Sequence, residues 1–265
     1  MKYNVLCSDL DGTLLSTKND VTEFTIEQIK RIQNKVRIIL VSARMPSGMY
    51  YLQKRLGIEH QPIICYNGAL VIKQGKVISS TYIPSFILEQ IFKMCSSLQI
   101  DLGLYNNDNW FVPQISERVE KEIKYTNTQP IFQSTTTSLS GLKDSGAHKV
   151  MLMCTKQSAD TIMPQLQNIL GNKVHLYRSN DTLIEIAPNS VSKRSAIASI
   201  LKPTESLKDI IAFGDNYNDI GMIQAAGYGV AVANARTEVK RIADYVTLAN
   251  TDDGVAHFIQ QKFII

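Results

Sequence analysis

The sequence predicts an α/β protein with two parts: a Rossmann-like parallel-sheet core with helices on both faces, and an inserted α+β domain with an antiparallel sheet. At both ends of the chain, strand-like runs alternate with amphipathic helical patterns, which is typical of parallel sheets. The runs VRIILV and DIIAF are almost continuously apolar, as strands buried on both faces are. The middle of the chain instead shows short strands joined by polar turns, and we predict a separate domain there.

In the first part of the core, strands are assigned from apolar runs and helices from apolar residues spaced three or four apart. The predicted strands are Val5–Asp9, Val36–Val41, Pro62–Tyr66, Leu70–Ile72 and Lys76–Ser80. The predicted helices are Thr22–Asn34 and Ser47–Leu56, the latter with Pro46 near its first turn. The last two strands are expected to form a hairpin around Gln74 and Gly75.

The middle part is predicted to be the inserted domain, 83–187, which leaves 1–82 and 188–265 as the core. Its predicted helices are Ser85–Leu98, Ser116–Tyr125 and Ser158–Leu170. Its predicted strands are Ile100–Tyr105, Trp110–Val112, His148–Cys154, Lys173–Arg178 and Thr182–Ile186. The Thr- and Ser-rich segment Gln129–Leu139 fits neither pattern and stays unassigned.

The last part returns to the core pattern. Its predicted strands are Asp209–Gly214 and Gly229–Val232. Its predicted helices are Ser192–Leu201, Asp219–Ala226, Thr237–Ala243 and Asp252–Phe258. The strand and helix patterns therefore resume after the insertion, as expected of one discontinuous core domain.

Composition narrows the range of functions. Of the 265 residues, 44% are hydrophobic and 20% are charged, as in an ordinary globular protein. The net charge is +4 without a Lys/Arg run, so we expect no nucleic-acid partner. No apolar run approaches the ~20 residues of a membrane span, and Asp9 comes too early for a signal peptide. We expect a cytoplasmic protein without a membrane partner, either a monomer or a weak homo-oligomer.

The cysteines and histidines do not indicate a metal or disulfide site. The four cysteines, Cys7, Cys65, Cys95 and Cys154, are far apart and form no CxxC pair. The four histidines are also scattered, without the spacing of a ligand pair. The sequence therefore predicts neither a disulfide framework nor a zinc site.

Polar residues follow several predicted core strands, at the edge where open parallel sheets bind ligands. Asp9 and Asp11 follow the first strand, Ser42 the second, and Asp215 the strand that ends at Gly214. Taken singly, these positions have ordinary explanations, because Asp and Ser are common in turns and helix caps. The same holds for Asp219, since a helix dipole favours an acid in the first turn.

Lys193 is harder to explain locally. It lies in the first turn of a predicted helix, where a cation costs roughly 0.3–1 kcal/mol. Three carboxylates at one sheet edge, from Asp9, Asp11 and Asp215, would also repel each other. A divalent cation removes that conflict, and oxygen ligands without His or Cys favour Mg²⁺.

Together these residues provide the groups needed for phosphoryl transfer. Asp9 can attack phosphorus and form an aspartyl phosphate. Asp11 can protonate the leaving oxygen and later activate water. Ser42 and Lys193 offer a hydroxyl donor and a positive charge to the phosphoryl group. Gly12 allows the sharp turn after the first strand.

Four segments in order, DLDGTLL, LVSAR, Lys193 and GDNYNDIGM, resemble the signature of haloacid-dehalogenase-superfamily phosphatases. CYNGALV, EIAPNSVSKRSA, GVAVANA and TDDGVA are similar to segments of the Cof-type sugar phosphatases, a subgroup with a large α/β cap. The resemblance covers nearly the whole chain. It implies that the inserted domain is such a cap and selects the substrate.

The resemblance also implies roles for individual residues. It makes Asp9 the nucleophile, and Asp11 the acid/base. Its implied Mg²⁺ ligands are Asp9, Asp215 and the backbone carbonyl of Asp11. Its implied phosphate-binding and supporting residues are Ser42, Lys193, Asn218, Asp219, Gly12, Ala43, Arg44 and Asn67, with Arg44 and Asn67 near the substrate.

The sequence departs from the family pattern at four positions. Ser42 stands where Thr is frequent, and Ala43 where Gly is frequent. Arg194 and Ala233 each replace a usual Gly. These departures bear on substrate choice more than on the chemistry.

Three functions stay open at this point: a phosphatase acting on small phosphorylated metabolites, a sugar phosphomutase, and a binding module without activity. Hexose phosphates, pentose phosphates, a flavin precursor and pyridoxal phosphate are all possible substrates. In the inserted domain, Tyr105, Trp110 and Arg178 are candidate contacts for the leaving group. For Tyr105 and Trp110 we favour the alternative that they are aromatic residues of that domain's own core.

Overall fold

A computed structural model describes residues 3–16 and 19–263 of the chain. The chain divides into two compact units: a core unit, Met1–Ile78 with Ser192–Ile265, and an inserted unit, Ser79–Val191. The expected insertion, 83–187, lies inside the inserted unit. Flanking residues join that unit through their side chains, since Ser80 bonds His148 and Asn189 bonds the carbonyl of Asn172.

The secondary structure of the described residues is as follows. The strands are β1 (Val5–Ser8), β2 (Arg37–Val41), β3 (Pro62–Cys65), β4 (Leu70–Lys73), β5 (Lys76–Ser80), β6 (Asp101–Asn106), β7 (Asn109–Val112), β8 (Ile131–Phe132), β9 (Lys149–Met153), β10 (Val174–Asn180), β11 (Leu183–Pro188), β12 (Ile210–Gly214), β13 (Tyr228–Ala231) and β14 (Tyr245–Val246). The helices are α1 (Glu23–Ile32), α2 (Ser47–Leu56), α3 (Ser85–Ser96), α4 (Glu117–Thr126), α5 (Thr135–Gly141), α6 (Lys156–Leu170), α7 (Lys193–Ser199), α8 (Ile220–Ala225), α9 (Thr237–Ile242) and α10 (Gly254–Lys262).

The core sheet has the strand order β14-β13-β12-β1-β2-β3-β4-β5. Its neighbours from β14 to β3 pair in parallel, and β3 pairs with β4 in antiparallel fashion. Ala212 packs on one face with residues of α7 and α8. The next residue, Phe213, contacts Phe258 of α10, with ring centroids 5.2 Å apart. Because successive strand residues point to opposite faces, helices cover both faces, and the predicted fold class is confirmed.

Two details of the core differ from the prediction. The strand β14 was not predicted, because two residues are too short to show a period. The last helix begins at Gly254 and ends at Lys262, later at both ends than the predicted Asp252–Phe258. Its start is displaced because Asn250–Asp252 form a 3₁₀ turn and Asp253 has left-handed backbone with φ 52°. Among the helices of the described residues, none is long and apolar enough to span a membrane.

The inserted unit contains a second sheet with the order β10-β11-β9-β6-β7-β8. All of its pairs are antiparallel except that of β7 with β8. Apolar residues of α3 and α6 pack on this sheet to form a separate hydrophobic core. The unassigned segment Gln129–Leu139 contains β8 and most of α5, whose N-cap Ser134 accepts a hydrogen bond from the amide of Thr137.

The aromatic candidates of the inserted unit are buried. Tyr105 and Trp110 are opposite each other on β6 and β7, 1% and 0% exposed, and their rings stack with centroids 5.5 Å apart. This burial agrees with the interpretation that they belong to the unit's own core. Arg178 is partly exposed and pairs with Asp160, with Nη1 and Oδ1 2.5 Å apart.

A strained turn after β3 braces the sheet edge where the polar residues lie. Tyr66, Asn67 and Gly68 take positive φ values of 51°, 56° and 110°. The amides of Tyr66 and Asn67 donate to the carbonyls of Arg44 and Ser42. A Cβ on Gly68 would lie 2.5 Å from the carbonyl oxygen of Ser192, directly before α7. The turn therefore fixes the start of α7 and the segment after β2 relative to β3.

We predict that Gly68→Ala lowers the free energy of unfolding by about 3 kcal/mol, because the new methyl group adds both backbone strain and a backbone clash. Gly75→Ala is the matched control: Gly75 has φ 74°, but no atom lies within 4 Å of the position that a Cβ would take there. Gly75→Ala should lower the free energy of unfolding by about 1 kcal/mol, from backbone strain alone. Urea unfolding of the two variants measures the difference, and equal losses would contradict the bracing role of Gly68.

Candidate active site

A buried lysine joins two carboxylates at the carboxyl edge of the core sheet. Asp9 follows β1 directly, and its amide donates to the carbonyl of Phe213 in β12. Lys193, the first residue of α7, donates from Nζ to Asp9 Oδ1 at 2.5 Å and to Asp219 Oδ1 at 2.7 Å. All three side chains are buried. The cation that the helix dipole disfavours is therefore neutralised by two acids.

The charge of Lys193 depends on these acids. Burial alone lowers the pKa of a lysine, but here the carboxylates of Asp219 and Asp9 outweigh burial and raise the pKa of Lys193. The helix begins at this residue because Ser192 and Ser195 form a reciprocal capping box. Lys193 therefore stays protonated at neutral pH, pointing from the start of α7 toward Asp9.

Asp219 organises the loop after β12. Its Oδ2 accepts hydrogen bonds from the amides of Asp215 and Asn216, both at 3.0 Å. Its Oδ1 accepts from Lys193. A Cβ on Gly214 would lie only 2.4 Å from the Cβ of Asp219, so the close approach requires glycine there. Both oxygens of Asp219 are thus engaged by protein donors.

Asp215 lies beside the turn that follows Asp9. Its Oδ1 accepts from the hydroxyl of Thr13 at 3.1 Å, a contact that the sequence did not predict. Gly12 has φ 82°, and a Cβ there would lie 2.7 Å from Asp215 Oδ2. Gly12 therefore permits both the turn and the approach of Asp215. Asn234, another residue missed from sequence, donates to the carbonyl of Gly12 at 2.8 Å.

The carboxylates of Asp9, Asp215 and Asp219 form one cluster, with ligand atoms that all lie within 4.8 Å of one another. Burial raises the pKa of Asp9 well above its usual range; Lys193 opposes this shift, while Asp219 and Asp215 add to it. Burial, reinforced by Asp219, also raises the pKa of Asp215 to about 6. One buried lysine thus faces three carboxylates in this cluster.

The position of Asp11 differs from the expectation that its carboxylate joins those of Asp9 and Asp215. The third carboxylate of the cluster is that of Asp219. The Asp11 side chain, 49% exposed, instead pairs with Arg44 through Oδ1–Nη2 at 2.6 Å and Oδ2–Nε at 2.9 Å. The physical reason is that the Arg44 side chain is only 2% exposed, and a buried guanidinium requires an anionic partner.

The remaining candidates lie in the neighbouring loops. Ser42 is buried, and its Oγ accepts from the amide of Arg44 at 3.1 Å; Ala43 between them is half-buried. Asn218 donates from Nδ2 to Asn67 Oδ1 at 2.9 Å. This amide pair joins the loop after β12 to the turn after β3. The roles of these residues toward phosphate stay predictions.

The donor set of the cluster fits a hard divalent cation. Its ligands are oxygen atoms only, without His or Cys, which suits Mg²⁺. Because both oxygens of Asp219 already accept from protein donors, Asp9 and Asp215 are the better ligands. Burial raises the pKa values of both acids, and the neighbouring carboxylate of Asp219 raises them further; a bound cation would relieve that repulsion.

Comparison with known proteins gives consistent matches over the whole chain. A family model for haloacid dehalogenase-like hydrolases matches residues 6–259. The chain is 28% identical to pyridoxal phosphate phosphatase YbhA of Escherichia coli, over 100% of both chains. It is 27% identical to 5-amino-6-(5-phospho-D-ribitylamino)uracil phosphatase YitU of Bacillus subtilis, over 99% of this chain and 98% of that one. A solved haloacid dehalogenase-like hydrolase from Bacteroides thetaiotaomicron aligns with TM-score 0.89 at 25% identity, over 98% and 99% of the chains.

We predict that Lys193→Gln lowers the free energy of unfolding by about 3–5 kcal/mol, because it leaves two buried carboxylates without their cation. Arg194→Gln is the control, since Arg194 is the adjacent cation of the same helical turn and is exposed. Its removal should change stability little. Thermal and urea unfolding in metal-free buffer provide the measurement. A Lys193→Gln variant as stable as wild type would show that the buried ion pairs of Lys193 with Asp9 and Asp219 do not stabilise the fold.

Proposed function

The chain belongs to the haloacid dehalogenase-like hydrolase family, and on that premise we propose that it hydrolyses small phosphate monoesters through a phosphoryl-aspartate at Asp9. The expected relation to this family and the phosphatase class are confirmed by the family model and by relatives that are named phosphatases. The observation that carries the proposed mechanism is the contact of Lys193 with Asp9, in a buried site beside Asp215.

In the proposed first step, an Asp9 carboxylate oxygen attacks phosphorus. The bond between phosphorus and the ester oxygen breaks, and its electron pair stays on the ester oxygen, which takes a proton from Asp11. Lys193 holds the other Asp9 oxygen and keeps the carboxylate oriented. Ser42 and Asn218, on the loops that border Asp9, are the proposed donors to the phosphoryl oxygens.

In the proposed second step, water attacks phosphorus of the phosphoryl-aspartate. The Asp11 carboxylate takes a proton from that water, and the bond between Asp9 and phosphorus breaks to return the carboxylate. The exposed position of Asp11 suits it for meeting both the leaving group and the incoming water. One residue thereby serves first as acid and then as base.

We propose Mg²⁺ as the cofactor, held by the side chains of Asp9 and Asp215 and the backbone carbonyl of Asp11. When bound, the ion would offset the negative charge that the carboxylates and the phosphoryl group bring together. Thr13 and Gly12 then act indirectly, because the hydroxyl of Thr13 orients Asp215 and the absent side chain of Gly12 leaves room for it.

We propose a class of substrates and no single compound. The named relatives act on a phosphorylated cofactor and on a phosphorylated ribityl compound. Both are small phosphate monoesters with primary-alcohol leaving groups, and sugars phosphorylated on a primary hydroxyl share that chemistry. We assign the choice among them to the inserted unit, because the core residues above engage the phosphoryl group and the metal.

We predict Mg²⁺-dependent phosphate release from several members of a panel of sugar phosphates and phosphorylated cofactors. A chelator should abolish the release, and added Mg²⁺ should restore it. Asp9→Asn should reduce turnover to below about a thousandth of wild type, because the amide is not a nucleophile. Colorimetric phosphate assays on the purified protein measure each value.

Asp144→Asn is the control for this assay, since Asp144 is an exposed acid of the inserted unit. It should keep wild-type turnover. Release that persists in Asp9→Asn would contradict the proposed nucleophile. If the protein interconverts sugar 1-phosphate and 6-phosphate faster than it releases phosphate, it is a phosphomutase and not a phosphatase. A folded protein without either reaction would indicate a binding module.

A further inference from the structure

The guanidinium of Arg44 is held by several contacts at the edge of the site. Its Nη1 donates to the carbonyl of Gly48 and to the hydroxyl of Tyr51, both at 3.2 Å. Tyr51 in turn donates to the carbonyl of Asn19 at 3.1 Å. The backbone amide of Arg44 donates to Ser42 Oγ. Helix α2 therefore holds the guanidinium, and Ser42 holds the backbone of Arg44.

Asp11, in contrast, has little support of its own. It lies in the turn Leu10–Leu14, where its own backbone (φ −73°, ψ 115°) and that of Gly12 (φ 82°) depart from helical values. Within residues 3–16 and 19–263, the contacts that hold its carboxylate are the two bonds from Arg44. A parallel two-bond pair fixes the plane of a carboxylate as well as its distance. The direction of the Asp11 side chain therefore depends on Arg44.

We propose that Arg44 is a positioning residue for proton transfer: it holds the Asp11 carboxyl group on the solvent-facing side of the buried Asp9 site, where a leaving group has to lie. This inference rests on the proposed function, in which Asp11 is the acid and base. Arg44 itself touches neither the phosphoryl group nor the metal in this mechanism. It acts through Asp11.

The proton balance of the first step is compatible with this role. As the ester bond to phosphorus breaks, one Asp11 oxygen gives its proton to the departing oxygen, while the other oxygen keeps its hydrogen bond from Arg44. In the second step, the first oxygen takes a proton from the attacking water. Arg44 neither gains nor loses a proton. Because kcat/KM reports the first step, the effect of Arg44 on kcat/KM should depend on how much the leaving group needs a proton.

Leaving groups differ strongly in that need. An alkoxide, as from a sugar phosphate, is a poor leaving group and requires protonation. A nitrophenolate leaves without it. Arg44→Lys keeps the charge but cannot form the two-bond pair. We expect it to lower kcat/KM for a sugar phosphate by about 100-fold, within the range of general acid catalysis, and for p-nitrophenyl phosphate by less than about 5-fold.

Three further variants separate positioning from stability. Tyr51→Phe removes one hydrogen bond to the guanidinium and leaves the pair with Asp11. It should therefore lower kcat/KM for the sugar phosphate more than for p-nitrophenyl phosphate, but by a smaller factor than Arg44→Lys. In an Asp11→Asn background, Arg44→Lys should add no further selective loss, because the group it positions is gone. Arg37→Gln is the matched control: Arg37 is also paired with a carboxylate, that of Glu205, but at the opposite end of β2. It should reduce thermal stability without changing the ratio of the two substrates.

The measurement is kcat/KM for phenyl phosphates of graded leaving-group pKa and for one sugar phosphate, with thermal unfolding of every variant. A steeper dependence on leaving-group pKa in Arg44→Lys and Tyr51→Phe supports the proposal. Equal losses on all substrates, or faster sugar phosphate turnover, overturn it, the latter because Arg44 would then hold Asp11 out of place. If Arg44→Lys does not fold, Tyr51→Phe decides. Turnover that survives in Asp9→Asn counts against the proposed function instead.

Discussion

Lys193 places a full positive charge where water does not reach, and its two carboxylate contacts are what make that burial tolerable. An isolated buried ion costs several kcal/mol, so Lys193, Asp9 and Asp219 are stable only together. The three residues come from the start of α7, the end of β1 and the loop after β12. Their contact therefore joins three segments that are far apart in the chain.

Other features of the core follow from this contact. Gly68 gives the carbonyl of Ser192 room, which sets where α7 begins and so where Lys193 points. Gly214 lets Asp219 come close enough to accept from the amides of Asp215 and Asn216. Asp215 is thereby placed beside Asp9, where a bound cation would offset the charge of both carboxylates. Burial of Asp215, reinforced by the nearby carboxylate of Asp219, raises the pKa of Asp215.

The sequence predicted the parts of this site that follow from general rules. Carboxyl ends of parallel strands share one edge, and that rule places Asp9 and Asp215 together. Lys193 was recognised because a cation conflicts with the dipole of its own helix. Asp219 was underestimated for the opposite reason, since an acid at a helix start has a sufficient local explanation that conceals its contact with Lys193.

Contacts between distant residues could not be predicted in this way. Strand periodicity ends at Asp9, so it does not say which way Asp11 points in the turn that follows. The ion pair with Arg44 depends on how α2 approaches that turn. The hydroxyl of Thr13 and the amide of Asn234 are likewise ordinary polar groups until folding brings them to Asp215 and Gly12. In the inserted unit, β8 was too short to give a pattern.

Capturing the phosphoryl group on the protein would test the role of Asp9 most directly. Wild-type protein would be mixed with Mg²⁺ and a monoester that it hydrolyses, and the reaction would be quenched in acid within the first turnover. The protein would then be digested and analysed by mass spectrometry. The proposed mechanism predicts one added phosphoryl group on the peptide that contains Asp9, lost on treatment with hydroxylamine and absent in Asp9→Asn. A phosphoryl group on another residue, or rapid turnover with no phosphorylated peptide in a quench series that covers the first turnover, would contradict it.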